Sequence, residues 1–178
     1  MAIERPISPE THLFGMPVYK ASQFGGTHAE VSGSIPTSRR DTALAMPQGN
    51  VEIVRIAYDA FNRRDLDALW PALGPEFEVD LTSSMGFDRS RYLGRKGVRS
   101  FFESYWDSFE SISIDLEECI EGENAVVAVI RARGRGFGSG VEVDARGPHL
   151  WSFREGRAVR LALHEHLEDA LEAAGLQE

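Results

Sequence analysis

Residues 124–154 read NAVVAVIRARGRGFGSGVEVDARGPHLWSFR. Two runs of alternating character flank Phe137-Gly138-Ser139-Gly140, whose glycines suit a tight reversal, so the stretch predicts a β-hairpin of strands 124–136 and 141–154. Closing the chain over those four residues sets Arg135 against Glu142 and Arg133 against Asp144. Each complementary cross-strand pair contributes roughly 0.2 to 1 kcal/mol, and a slip by one residue would turn every side chain to the other face. The same register gathers Val126, Ala128, Ile130, Ala132, Val141, Val143, Ala145, Trp151 and Phe153 on one face and the charged residues on the other. A sheet with one apolar face needs something packed against it.

His149 falls on the apolar face by this parity, as the only ionisable group there. A buried imidazole is either a core residue satisfied by one hydrogen bond or a donor or proton shuttle kept for a ligand. Gly147-Pro148 just before it could host a bulge, which would flip His149 outward. The arginines at 131, 133 and 135 face acids and read as a salt-bridge ladder, and Gly134-Arg135-Gly136 lacks the strand-to-helix setting of a phosphate loop.

Outward from the hairpin, the flanking strands are 112–120 and 157–165, joined to it by Glu121-Gly122-Glu123 and Glu155-Gly156, and a short helix, 167–174, ends at Gly175. Upstream, Val54, Ala57, Tyr58 and Phe61 recur at helical spacing after a cap at Asn50. Asp65 caps a short second helix through Leu66, Leu69, Trp70 and Leu73, which Gly74-Pro75 ends. Phe77, Val79 and Leu81 then alternate with Glu78 and Asp80 as a first strand, followed by a polar loop over 83–94. A third helix from about Gly97 carries Val98, Phe101, Phe102, Tyr105 and Phe109 along one stripe. Helices first and a strand meander afterwards predict an α+β domain, an antiparallel sheet with helices on one face.

This domain occupies residues 49–176. Residues 1–46 carry Pro6, Pro9, Pro17, Pro36 and Gly25-Gly26 without periodicity, and are expected to be a flexible or non-native extension, with Met46 placed where a shorter chain would start. The chain has 178 residues, 42% hydrophobic and 26% charged, enough for one domain with a core. Its net charge of −9 argues against nucleic acid as a partner, because phosphate binding needs a basic face. Without an apolar run of membrane-spanning length or a leader, a cytoplasmic protein that does not meet a membrane is expected. Cys119 stands alone, so neither a disulfide within the chain nor a thiolate metal site is indicated.

Four strings, in order, resemble the SnoaL-like branch of the nuclear-transport-factor-2-like superfamily. They are Ala60-Phe61-Asn62-Arg63-Arg64-Asp65-Leu66-Asp67-Ala68-Leu69, Tyr92-Leu93-Gly94-Arg95-Lys96-Gly97-Val98-Arg99-Ser100-Phe101-Phe102, Trp151-Ser152-Phe153-Arg154-Glu155-Gly156-Arg157 and Glu172-Ala173-Ala174-Gly175-Leu176. The resemblance implies a cone-shaped curved sheet wrapped by three N-terminal helices, an α+β barrel around a small-molecule pocket, and a homodimer through the outer sheet face. Relatives include ketosteroid isomerases, polyketide cyclases and limonene-epoxide hydrolases, alongside members without a demonstrated activity, so fold alone does not decide function.

Carried over residue by residue, the isomerase pattern is incomplete. The oxyanion tyrosine aligns with Ala57, making Tyr58 a neighbouring substitute. The base carboxylate aligns with Leu81, with Asp80 one residue early and therefore on the opposite face of its strand unless a bulge restores it. The second oxyanion donor aligns with His149. His149, Asp80 and Tyr58 are thus the candidate catalytic residues, with Asp88 an alternative base, and Trp70, Phe102, Tyr105, Trp106 and Trp151 the candidate pocket lining. A carboxylate in an apolar cavity gains basicity, which suits proton transfer on a small hydrophobic molecule such as an enolisable ketone, a polyketide-like precursor or an epoxide. The alternative is a pocket or assembly module without catalysis. No cofactor is implied. His164 and His166 could chelate a metal along one strand face, but no third ligand accompanies them and the resemblance implies no metal.

Overall fold

The computed structural model describes residues 49–84 and 89–176. The 1–46 extension and Asp88 lie outside the described residues. Helix α1 spans Asn50–Asn62, and its apolar stripe of Val54, Ala57, Tyr58 and Phe61 is buried. Asn50 is its first helical residue rather than its cap; the helix opens on the Gly49 carbonyl, which accepts from Glu52 and Ile53 N–H at 2.9 and 3.3 Å. Asp65 does cap the following turn, accepting from Ala68 N–H at 3.1 Å, but the expected second helix shrinks to a 3-10 turn at Trp70–Ala72.

Strand β1, Leu73–Asp80, begins earlier than expected and runs through Gly74-Pro75. Its pairing shifts between Leu73 and Glu78, an irregularity that accommodates the proline, which has no N–H for the ladder. A three-residue strand β2, Arg91–Leu93, emerges from what reads as loop, and helix α2, Gly94–Asp107, follows directly, starting three residues before Gly97. Strands β3 (Phe109–Glu121), β4 (Ala125–Gly136), β5 (Glu142–Arg154) and β6 (Arg157–Leu163) form the meander, and helix α3, Leu167–Ala173, closes the chain.

The six strands form one curved, open sheet in the order β2-β1-β6-β5-β4-β3. It is mixed rather than antiparallel. β1 lies beside β6 in parallel, with Val79 opposite Leu161 and Asp80 opposite Ala162, because the chain leaves β1 through α2, enters the meander at the far edge and returns to β1 last.

The β4–β5 register is the one the charges predict: Arg135 faces Glu142, Arg133 faces Asp144 and Ala128 faces His149. No shift occurs at Gly147-Pro148, which pair with Ile130 and Val129. The ion pairs themselves run diagonally, Arg131 to Asp144 at 2.7 Å and Arg133 to Asp115 of β3 at 2.6 Å, so the ladder ties three strands together. Gly134 meets β3 so closely that a Cβ would stand 2.6 Å from the Ser111 carbonyl, which gives this glycine a packing role instead of a phosphate-binding one. Val141, expected on the apolar face, lies before β5 and is exposed.

The inner face of β4 and β5 packs with α1 and α2 into the main core. The outer face is not uniformly charged. Away from the hairpin tip, Ala125, Val127, Leu150 and Ala162 are apolar and form a second, smaller core beneath Ala170, Leu167 and Leu171 of α3. Asn62, at the end of α1, clasps the free side of β3: its amide donates to the Ile114 carbonyl at 2.9 Å and its oxygen accepts from Ile114 N–H at 2.8 Å.

Candidate functional site

The helical layer meets the sheet incompletely. Between α1, the turn at Leu66–Leu69 and α2 on one side, and β3, β5 and β6 on the other, lies a cavity of about 530 Å³ out to its open mouth. Ala57, Phe61, Leu66, Leu69, Phe101, Phe102, Ile114, Leu161 and Leu163 supply an apolar wall. The polar side chains on the lining are Tyr58, Tyr105, His149 and Trp151.

Three of these four are joined. His149 and Trp151 are two apart on β5 and so share its inner face. Tyr58 comes from α1, one turn before Asn62, and places its hydroxyl 2.9 Å from His149 Nδ1, while Trp151 Nε1 donates to the same hydroxyl at 3.1 Å. Phe77 stacks on the Trp151 ring at 5.9 Å and Tyr58 meets it edge-on at 5.9 Å, fixing the indole from both sides. Burial, assisted by the charge of nearby His164, pushes the His149 pKa down to about 3, so the imidazole is neutral at physiological pH. Burial likewise raises the Tyr58 hydroxyl well above its ordinary value against the opposing pull of the Trp151 hydrogen bond, and raises Tyr105. A group with so low a pKa is a weak base but a competent neutral hydrogen-bond donor or acceptor.

Asp80 is not brought to this cavity. It is 1% exposed, yet it lies on the opposite face of β1 from Phe77 and Val79, as the one-residue offset requires. There its carboxylate meets the Arg160 guanidinium, Arg91 Nε at 3.1 Å, and the Thr82 N–H and hydroxyl at 2.8 and 2.6 Å. Burial acts to raise its pKa, but the Thr82 hydrogen bonds and Arg160 outweigh it and hold the carboxyl below the usual range. No carboxylate lines the cavity among the described residues.

Of the expected pocket aromatics, Phe102, Tyr105 and Trp151 line the cavity. Trp106 is buried beside it against Phe61 and Phe102. Trp70 turns away, under the guanidinium groups of Arg95 and Arg99 at 5.0 and 5.8 Å, because the 3-10 turn rotates it off the stripe that carries Leu66 and Leu69. His164 is half-buried near Asp169, and His166 pairs loosely with Glu165 at 3.8 Å. Among the described residues no group of three or more His, Cys, Asp or Glu side chains converges as a metal ion would require, and no helix is long and apolar enough to cross a membrane.

The model of the SnoaL-like domain matches residues 54–161, the span from α1 to β6 that builds this cavity. The chain belongs to the SnoaL-like family. Solved structures agree with that assignment at the level of fold. The SnoaL-like domain is similar to an NTF2-like protein of unknown function from Burkholderia pseudomallei, 23% identical over 71% of this chain and 98% of that one, with a TM-score of 0.58. It is also similar to TerC, co-crystallised with polyporic acid, at 20% identity over 72% and 98% of the two chains and a TM-score of 0.57. A third is a Mycobacterium tuberculosis protein in complex with estradiol-17β-hemisuccinate, 12% identical over 66% and 94%, with a TM-score of 0.55. No curated protein matches the sequence.

The pairing of His149 with Trp151 is legible from strand period alone. The contribution of Tyr58 to them is not, since it joins residues 91 apart in sequence. Leu161 and Leu163 of β6 give no sign of lining a cavity until β6 is known to lie beside β5.

Proposed function

We propose that this SnoaL-like domain binds a small, largely apolar molecule in the cavity, held in orientation by one polar contact at His149. The observation that carries this reading is a cavity open at its mouth with an apolar wall, whose lining residues include the hydrogen-bonded Tyr58, His149 and Trp151, an arrangement usual for small-molecule sites. TerC with polyporic acid and the estradiol complex support it as instances of the same fold taking up small molecules with polar oxygens. Proton transfer of the isomerase or cyclase kind gains less support, because Asp80 is committed to arginines on the other side of the sheet. A second copy of the chain is proposed to pair with the outer sheet face near the hairpin tip, where charges of both signs alternate across β3, β4 and β5.

Titration with 1-tetralone, a compact bicyclic ketone, tests the binding reading by calorimetry. Saturable binding is expected, weakened about tenfold by His149→Leu through loss of one hydrogen bond and abolished by Leu69→Trp, which fills the cavity. Absence of saturation, or binding indifferent to Leu69→Trp, overturns it. For the pairing, light scattering should give twice the chain mass, reduced by Arg133→Glu; a single-chain mass rejects it.

A further inference from the structure

The two edges of the open sheet carry opposite charge. β2, at one edge, lies in the run 89–99, which holds Arg89, Arg91, Arg95, Lys96 and Arg99 and no acid. β3, at the other, lies in the run 109–123, which holds Glu110, Asp115, Glu117, Glu118, Glu121 and Glu123 and no base. Part of each set is engaged within the chain. Arg91 pairs with Asp80, Arg95 and Arg99 with Asp67, and on the acidic edge Glu110, Asp115 and Glu117 pair with Arg135, Arg133 and Arg146. Arg89 and Lys96 at one edge, and Glu118, Glu121 and Glu123 at the other, are exposed and form no ion pair among the described residues. Leu93, 64% exposed, adds an apolar side chain to the basic edge.

Helix stability does not account for the basic set. Arg95 and Lys96 stand in the first turn of α2, at the positive end of its dipole, where cations are disfavoured and no acid of that turn offsets them. An edge of one sign repels its own kind, so β2 against β2 and β3 against β3 are both opposed, whereas β2 against β3 is attractive. The net charge of −9 keeps copies of this chain apart on average, and the basic run is where that repulsion reverses. We infer that a second copy of the chain docks edge to edge, the basic β2 edge of one copy against the acidic β3 edge of the next, with Arg89 and Lys96 meeting the carboxylates of Glu118 and Glu121. The two surfaces differ, so the contact is head to tail and leaves an edge of each sign open to a further copy. The clasp of Asn62 on Ile114 lies outside the stretch 117–123 and does not obstruct it. This contact is separate from the pairing of outer faces proposed above, which uses none of these four side chains.

Sedimentation equilibrium on the full-length protein tests the contact. Screening shortens the reach of charges from about 10 Å at about 0.1 M salt to about 3 Å at about 1 M. The average mass is expected to climb with protein concentration at the lower salt, with an association constant about tenfold smaller at the higher. Arg89→Glu together with Lys96→Glu, and separately Glu118→Lys together with Glu121→Lys, touch no internal ion pair, and each double change should abolish the climb. An equimolar mixture of the two variants should restore it, as should one chain carrying all four changes, a rescue that a folding defect does not produce. A mass independent of concentration at the lower salt, a climb indifferent to salt, or a mixture that stays dissociated overturns the inference. Association that responds to Arg133→Glu but to neither double change belongs to the outer faces and equally rejects the edge contact.

Discussion

Two buried titratable side chains, His149 on the inner face of the sheet and Asp80 on the outer, meet the same loss of water in opposite ways. His149 is 6% exposed, has one hydrogen-bond partner among the described residues, and is neutral. Asp80, at 1%, is ringed by two guanidinium groups and the Thr82 donors and stays charged. Burial alone therefore does not decide ionisation; the partners that the sheet brings to each face do. A neutral, incompletely satisfied group beside a cavity has bonding capacity to offer a ligand. A charge with every acceptor site engaged is committed to the fold.

The largest effect should come from breaking the committed side. Asp80→Ala takes the acceptor from the Thr82 N–H and hydroxyl and one partner from each arginine, Arg160 keeping Glu78 at 3.1 Å, and is expected to cost about 3 kcal/mol in urea unfolding, without altering tetralone affinity in the folded fraction. A loss of less than about 1 kcal/mol would mean that the outer cluster is no more than a surface ion pair.

Next is acidity. His149 has its folded pKa below the unfolded value of about 6.5, so between that value and about pH 3 the unfolded chain binds the extra proton and stability falls as pH is lowered, by roughly 1.4 kcal/mol per unit. From pH 6 to pH 4 the loss is roughly 2 to 3 kcal/mol, and His149→Gln should flatten that slope. The Asp80 contribution is complete above the ordinary carboxylate pKa of about 4 and is lost as pH drops through its lowered folded value, adding a separate limb at the acid end. Denaturation midpoints at half-unit intervals would resolve the two; an unchanged slope in the glutamine variant would show that His149 is not buried neutral.

A smaller change is expected from Tyr58→Phe, which strands the Trp151 N–H at a cost of about 1 to 2 kcal/mol while leaving Asp80 untouched, so its pH profile should keep the acid limb. Smallest of all, Asp67→Asn removes the partner of Arg95 and Arg99 at the surface, and its melting temperature should match the unaltered protein. A clear drop there would blur the distinction between committed and superficial charges.

Local pattern carried much of the fold. Alternation and opposed charges gave the β4–β5 register, hence the inward aspect of His149, and the 3.6-residue stripe gave α1. What could not be read was whatever depended on strands meeting after a long excursion. The parallel placement of β1 beside β6 makes the sheet mixed and delivers Arg160 to Asp80 across 80 positions. Asp80 was legible as misplaced for catalysis by its offset of one residue, but its arginine partners were not. Trp70 departs from the expected lining because a single 3-10 turn, with a different angular step, stands in place of the expected helix.

The clasp of Asn62 on Ile114 also bears on how the chain behaves in company. β3 is a thirteen-residue edge strand, and such an edge presents a row of donors and acceptors on which a foreign strand can crystallise into a growing ribbon. By occupying the N–H and C=O of Ile114 near the middle of that row, one amide interrupts the template. Its removal would open a path to fibrils even in a population still almost wholly folded.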